Sequence, residues 1–180
     1  MKKTRLLLLS DLFGGNPEWV EYYIKILEVK YDIQYYDVLK LAQMSSTNNE
    51  TEIHNQFLND GIEKAVSNLL DFEKEKVAVL GFSIGGTIAW KASLKGLKIT
   101  QLVAISSTRL RFETEMPNCK VKLYYGDKDL NKPNEEWFLD LKISNHTIEN
   151  RDHLLYKEKE NAFLFCSIFF VINTAKDIFL

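Results

Sequence analysis

The sequence predicts an α/β protein in which helices cover both faces of a parallel β-sheet. Short, continuously apolar runs alternate with longer stretches of helical pattern along the chain, and strands of this kind are typical of a sheet buried on both sides. No internal repeat, low-complexity tract or Pro/Gly-rich linker divides the 180 residues. We therefore expect a single domain that spans residues 1–180.

Six short runs, rich in Leu, Ile, Val and Tyr, form the predicted strands. They cover residues 5–10, 33–38, 76–80, 101–106, 121–125 and 143–148. Five longer stretches have apolar residues at helical spacing. These cover residues 17–29, 52–72, 84–95, 134–141 and 154–175. Strands and helices thus alternate, as in successive strand–helix–strand units of a parallel sheet.

Composition and charge exclude several classes of protein. The chain is 46% hydrophobic and 27% charged, and 23 Lys and Arg against 25 Asp and Glu give a net charge of −2. A chain of this length buries roughly 70% of its unfolded surface, so it needs no disulfide or metal to hold a core. Because no run of like charge forms a basic stripe, we do not expect a nucleic-acid partner.

Neither end of the chain has the pattern of a secretion signal or a membrane anchor. The apolar run at residues 6–9 is shorter than the ~7 to 15 residues of a signal peptide's apolar region. Residues 162–172 are almost all apolar, yet a membrane-spanning helix needs ~20. Cys119 and Cys166 lie in apolar contexts without metal-binding spacing. We expect free thiols in a cytoplasmic protein with no membrane partner.

Residues 81–85 read Gly-Phe-Ser-Ile-Gly between a predicted strand and a predicted helix. A Gly-x-Ser-x-Gly motif at such a junction places its serine on a sharp turn, with the hydroxyl above the edge of the sheet. Glycine at both flanking positions relieves crowding in that turn. The motif indicates that Ser83 is a nucleophile. A glycine-rich turn that cradles a phosphate is the alternative, although no Gly-x-Gly-x-x-Gly or Walker lysine is present.

A serine nucleophile needs a base, and a third group must orient that base. The chain has three histidines. His54 follows a polar loop and is interpreted as a surface residue. His146 lies within the last predicted strand, where its ring would point to one face of the sheet. His153 lies just beyond that strand and can reach over the carboxyl edge, so we predict that it is the base.

Two carboxylates follow the fifth predicted strand in the sequence Tyr-Tyr-Gly-Asp-Lys-Asp at residues 124–129. We predict that Asp129, with Asp127 as the alternative, points back towards the site and orients the base. Asp127 is predicted to be a solvated or turn-capping residue. Asp152 is interpreted as a surface residue because adjacent residues rarely present their side chains to each other.

The chain order Ser83, Asp129, His153 and the segments around these residues resemble the α/β-hydrolase superfamily. The resemblance covers nearly the whole chain. It implies a three-layer α/β/α fold with six parallel strands in the order 2-1-3-4-5-6, without the family's first hairpin. Because only residues 107–118 are available between the fourth and fifth strands, it also implies a member without a helical cap. Such members include dienelactone-hydrolase-like proteins and compact esterases or thioesterases.

Residues 9–15 look like the family's oxyanion loop, with Ser-Asp in place of the frequent His-Gly. The match implies an oxyanion hole formed by the backbone N–H groups of Leu12 and Ile84, with Phe13 as the alternative to Leu12. The apolar side chains expected to border the nucleophile are those of Leu12, Phe13, Ile84 and Leu154. Of these, Phe13 and Leu154 are predicted to bind substrate.

Together these features predict a serine hydrolase that cleaves a small ester or thioester through an acyl-enzyme, with neither a metal nor an organic cofactor. An acyltransferase with the same triad and a non-catalytic binding protein with this fold are the alternatives. We expect short acyl groups as substrates unless the polar loop at residues 43–52 folds over the site. Either a monomer or a homodimer is compatible with the sequence.

Overall fold

The computed structural model describes residues 3–45 and 49–171, which are built around one six-stranded sheet. The strands are β1 Thr4–Leu9, β2 Tyr31–Tyr36, β3 Val77–Phe82, β4 Ile99–Ile105, β5 Lys120–Gly126 and β6 Asn145–Ile148. They are all parallel and lie in the order β2-β1-β3-β4-β5-β6. The predicted strand order 2-1-3-4-5-6 is confirmed.

Helices follow or connect these strands. They are α1 Glu18–Leu27, α2 Val38–Leu41, α3 Glu50–Gln56, α4 Ile62–Phe72, α5 Ile84–Leu94, α6 Glu135–Asp140 and α7 Lys159–Val171. Two 3₁₀ helices cover Leu110–Phe112 and Leu155–Lys157. A π-helical turn at Phe57–Gly61 joins α3 to α4, so the helix predicted at residues 52–72 is continuous but changes its hydrogen bonding in the middle.

Alternate side chains of each strand enter two hydrophobic layers. On β1, Leu6 and Leu8 share one layer with α1 and α7, while Leu7 and Leu9 share the other with α4 and α5. Every residue of β3 is buried. The central strands are therefore covered on both faces, and the predicted α/β/α arrangement is confirmed.

The helix α7 is apolar on all sides, and Phe165, Cys166 and Phe169 are buried against the sheet. The end of this predicted helix, residues 172–175, lies outside the described residues. Among the helices that the structure describes, none combines the length and apolar character that crossing a membrane requires. Cys166 and the half-buried Cys119 are free thiols, and burial raises the pKa of Cys166 to about 12.

Residues 107–118, between β4 and β5, pack against the body of the protein. The indole N–H of Trp90 in α5 donates to the carbonyl of Glu115 at 3.2 Å. That of Trp137 in α6 donates to the carbonyl of Glu113 at 2.8 Å. Because both bonds hold this segment down on helices, it does not form a cap over the carboxyl edge of the sheet.

Candidate active site

Ser83 lies between β3 and α5 at the carboxyl edge of the sheet. Its φ of 49° and ψ of −121° are unusual for a residue other than glycine and typically cost about 1 to 3 kcal/mol. The buried strand and helix on either side hold this conformation, and the Ser83 N–H donates to the Ile105 carbonyl at 3.0 Å. The sharp turn that the motif predicts is thus present in the structure.

Two glycines of the motif allow backbones to approach closely. A Cβ at Gly81 would lie 2.6 Å from the Cα of Gly86, and one at Gly85 would overlap the carbonyl oxygen of Ser10. Real Cβ atoms do not tolerate such contacts. Gly81 therefore lets β3 approach the start of α5, and Gly85 lets that helix pack directly against the loop that follows β1.

Three side chains form a hydrogen-bonded chain at this edge. The Oγ of Ser83 lies 3.1 Å from Nε2 of His153, and Nδ1 of His153 lies 3.0 and 3.1 Å from the two carboxylate oxygens of Asp129. An ionised carboxylate only accepts hydrogen bonds, so in the neutral ring Nδ1 carries the proton and Nε2 accepts from the hydroxyl. The structure brings Ser83, His153 and Asp129 together in the predicted order.

Asp129 is 5% exposed, and its surroundings favour the ionised form. Burial acts to raise the pKa of this carboxyl, but the hydrogen bond and charge of His153 and the Asn131 N–H, which donates at 2.9 Å, hold it below its ordinary value. A carboxylate that stays ionised can orient the imidazole and stabilise an imidazolium.

Asp127 joins the turn that contains Asp129 to the loop that contains His153. Its carboxylate accepts from the Arg151 N–H at 3.2 Å, and the backbone N–H groups of Asn150 and Arg151 lower its pKa. The Lys128 N–H donates to the Arg151 carbonyl at 3.0 Å. A Cβ at Gly126 would overlap that carbonyl. This contact pattern fits the turn-capping interpretation of Asp127.

The other two histidines lie in different environments. His146 is in β6 and its ring stacks on Tyr124, with centroids 5.0 Å apart and planes at 18°. Burial and the charge of Lys122 lower its pKa. His54, interpreted from the sequence as a surface residue, is exposed but lines the same cavity as Ser83. Sequence reasoning missed this position because nothing local shows that α3 returns to the carboxyl edge.

A cavity of about 250 Å³ opens beside the serine. The four apolar residues predicted to border Ser83 line it, namely Leu12, Phe13, Ile84 and Leu154. Phe13 is 47% exposed and Leu154 46% exposed, so the cavity is open to solvent. Its volume is below the ~300 to 1,000 Å³ of sites for drug-sized ligands.

The loop after β1 forms a tight turn next to the cavity. The Phe13 N–H donates to Oδ1 of Asp11 at 3.2 Å, and the Gly14 N–H donates to the Asp11 carbonyl at 3.2 Å. Phe13, the alternative oxyanion donor, is therefore engaged within the turn. Ile84 is the first residue of α5, where N–H groups lack an intrahelical acceptor. These contacts favour the backbone N–H groups of Leu12 and Ile84 as donors to a ligand.

The described residues contain no group of three His, Cys, Asp or Glu side chains placed to hold a metal ion. Besides apolar side chains, the lining of the cavity includes the hydroxyl of Ser83, the imidazoles of His54 and His153, and the carboxylates of Asp11 and Glu50. A hydroxyl hydrogen-bonded to an imidazole suits nucleophilic attack on a polar carbonyl carbon.

Comparisons with known proteins identify the fold. No family model and no curated protein matches the chain. A predicted CIB-like hydrolase from Thermoplasma acidophilum is similar in structure, with a TM-score of 0.69 and 17% identity over 95% of this chain and 86% of that chain. A dienelactone hydrolase-like promiscuous phosphotriesterase from metagenomic libraries has a TM-score of 0.67 and 15% identity, over 93% of this chain and 86% of that chain. Mouse alpha/beta hydrolase domain-containing protein 10 has a TM-score of 0.67 and 14% identity, over 96% of this chain and 90% of that chain. The chain has the α/β-hydrolase fold.

Proposed function

We propose that this protein is a serine hydrolase that cleaves small carboxylic esters or thioesters through an acyl-enzyme. The observation that carries the proposal is the chain of hydrogen bonds from Ser83 through His153 to Asp129, located at a small, solvent-open cavity. The fold shared with several hydrolases supports the class of reaction but does not by itself fix the function.

In the first half of the proposed reaction, Ser83 Oγ attacks the carbonyl carbon while Nε2 of His153 takes the hydroxyl proton. Asp129 stabilises the imidazolium that results. The carbonyl oxygen becomes an oxyanion and accepts hydrogen bonds from the N–H groups of Leu12 and Ile84. Each such donor typically contributes about 10²- to 10³-fold to the rate.

The tetrahedral intermediate then collapses. The leaving alkoxide or thiolate takes the proton from Nε2 of His153, and the acyl group remains on Ser83 as an ester. A water molecule, which gives its proton to His153, attacks this ester in turn. The second intermediate releases the carboxylic acid, and Ser83 regains its proton from His153. Because the cavity is open to solvent, water can reach the acyl-enzyme.

Replacement of the nucleophile tests the proposal. Ser83→Ala should abolish turnover of an activated acetate ester while the melting temperature stays close to that of the wild type, since the hydroxyl contributes no core packing. The matched control is Ser93→Ala, a half-buried serine at the opposite edge of the sheet, which should keep wild-type activity. Product analysis with and without an added alcohol or thiol separates hydrolysis from acyl transfer. Retained turnover in Ser83→Ala would mean that the mechanism is wrong.

A further inference from the structure

The proposed reaction leaves one buried charge at the site unexplained. Asp11, in the turn after β1, is 2% exposed and lines the cavity that contains Ser83. A negative charge at this position opposes the charge that develops on the oxyanion. The carboxylate must therefore be compensated, and its partners show how.

Both oxygens of the Asp11 carboxylate have partners. Oδ2 accepts from the Tyr156 hydroxyl at 3.1 Å and lies 3.1 Å from Nζ of Lys157, while Oδ1 accepts from the Phe13 N–H at 3.2 Å. Burial and the charge of Asp11 raise the pKa of Tyr156 far above its ordinary value. The phenol consequently stays protonated and donates to the carboxylate.

These partners connect two distant parts of the chain. Tyr156 and Lys157 belong to the 3₁₀ helix Leu155–Lys157, directly after the loop of His153. Asp11 lies next to Ser10, whose carbonyl oxygen packs against Gly85 at the start of α5. One carboxylate thus joins the turn after β1 to the segment that carries the predicted base.

We propose that Asp11 and Lys157 are positioning residues for the proposed hydrolysis, on which this inference rests. Asp11 holds the turn so that the Leu12 N–H faces the oxyanion, and the ammonium of Lys157 neutralises the carboxylate. Neither group takes a proton from the substrate or gives one to it. Their effect on the rate passes through the geometry and the charge of the oxyanion hole.

The first arm of the test releases the turn. Asp11→Ala removes all three contacts, and kcat for an activated acetate ester should fall about 10- to 100-fold, part of what one oxyanion donor contributes. KM should change less than about threefold, because the donor acts in the transition state. Thermal melting shows whether the variant is folded, and Asp11→Asn, which keeps the size of the side chain, replaces it if it is not.

The second arm separates charge from packing. Lys157→Met leaves the Asp11 carboxylate buried without its cation, and kcat should fall about tenfold or more. Asp11→Asn combined with Lys157→Met removes both charges and should recover kcat to within about threefold of Asp11→Asn alone. Losses of kcat that add in the double variant would mean that the two side chains act independently of each other.

Inactivation by a fluorophosphonate provides a second readout. Ser83 Oγ forms a bond to phosphorus, fluoride leaves, and the proton goes to His153. The phosphoryl oxygen meets the same N–H groups as a substrate oxyanion. The rate constant for inactivation should therefore follow kcat across the variants.

Lys91→Met is the matched control. Lys91 and Glu113 form an ion pair with an N···O distance of 3.0 Å, and their side chains are 28% and 15% exposed. In the pair Lys157–Asp11 the N···O distance is 3.1 Å, and the side chains are 32% and 2% exposed. Neither Lys91 nor Glu113 lines the cavity, so kcat of Lys91→Met should stay within about twofold of the wild-type value.

Wild-type kcat in Asp11→Ala and Lys157→Met, or additive losses in the double variant, would overturn this inference alone. A wild-type protein without Ser83-dependent turnover would overturn the proposed function as well.

Discussion

The two edges of the sheet carry openings of different size and chemistry. At the amino edge a groove of about 800 Å³ contains Lys76, Lys98 and Lys120 at the starts of three neighbouring strands. The carboxyl-edge cavity is about 250 Å³ but is lined by Ser83 and by His153, whose ring is hydrogen-bonded to Asp129. The groove has Cys119, a thiol whose pKa burial raises, and no histidine among its lining residues. The smaller opening is the one that combines a serine hydroxyl with an imidazole.

The topology of the sheet explains the difference. The chain passes from β1 to β2 on one side and places β3 on the other, so the loops after β1 and β3 diverge at the carboxyl edge. The first residue of α5, Ile84, lies at the cavity, and its positive helix end stabilises negative charge there. The C-terminal end of α5 lies at the amino-edge groove, where the helix dipole has the opposite sign. The dipole of α5 therefore favours negative charge at the carboxyl edge and not at the amino edge.

The largest effect should come from removal of the base. His153→Ala should lower kcat for a short activated ester by about 10⁴-fold or more, since the serine then lacks a proton acceptor. Lys98→Met in the amino-edge groove should leave kcat within about twofold. Equal losses in both variants would remove the functional distinction between the two edges.

A pair of glycine substitutions should give the next largest effect. Gly85→Ala forces the start of α5 away from Ser10 and should reduce kcat by about 10²-fold, because the hole and the nucleophile move apart. Gly96, at the amino edge, has a φ of +107° and no heavy atom within 4 Å of its notional Cβ. Gly96→Ala should cost about 1 to 3 kcal/mol of stability through backbone strain and keep wild-type kcat. Steady-state kinetics and urea unfolding measure the two quantities.

The sequence predicts the sheet well because its information is local. The predicted strands coincide with all six observed strands to within a few residues, although β6 has only one apolar residue, and the Gly-x-Ser-x-Gly motif marks the turn at Ser83. Asp129 and His153 could be selected because few carboxylates and histidines follow strands on the correct side. These predictions rest on strand ends, spacing and residue type.

Features that depend on distant contacts were not visible. The contact of Asp11 with Tyr156 joins residues 145 positions apart, and no local pattern indicates it. The short helix α2 was missed because it is four residues long and is held by the Asp37 side chain, which accepts from two backbone N–H groups. His54 is brought to the cavity by the position of a whole helix. Tertiary contacts, and not the local sequence pattern, determine the Asp11–Tyr156 contact, helix α2 and the position of His54.

A series of esters from two to twelve carbons examines how far the carboxyl-edge site extends. Each methylene that is buried against apolar side chains should contribute ~0.8 kcal/mol to the free energy of binding. The cavity is small, however, and Phe13 and Leu154 are half exposed. We expect kcat/KM to rise a few-fold over the first carbons and then to level off. A steady rise to twelve carbons would show that the polar loop at residues 43–52 covers longer chains.

The smallest expected effect is on stability at acid pH. The pKa of Asp129 lies below its ordinary value of 3.8, so its ionised form stabilises the folded state fully above that value and less as the pH falls through the lowered pKa. The difference in free energy of unfolding between wild type and Asp129→Asn should be constant from pH ~7 to ~5 and shrink towards pH ~2. Asp32→Asn at the amino edge should stay within about 0.5 kcal/mol of the wild type at neutral pH. A difference that grows on acidification would contradict the assigned direction.

Labelling with a fluorophosphonate, followed by mapping of the modified peptide, tests directly whether Ser83 is the nucleophile. We expect one phosphonylated residue, Ser83, at a rate that falls sharply in His153→Ala, and no labelling in Ser83→Ala. Modification of Ser93 or another serine would contradict it, and so would ester turnover by a protein whose Ser83 does not react.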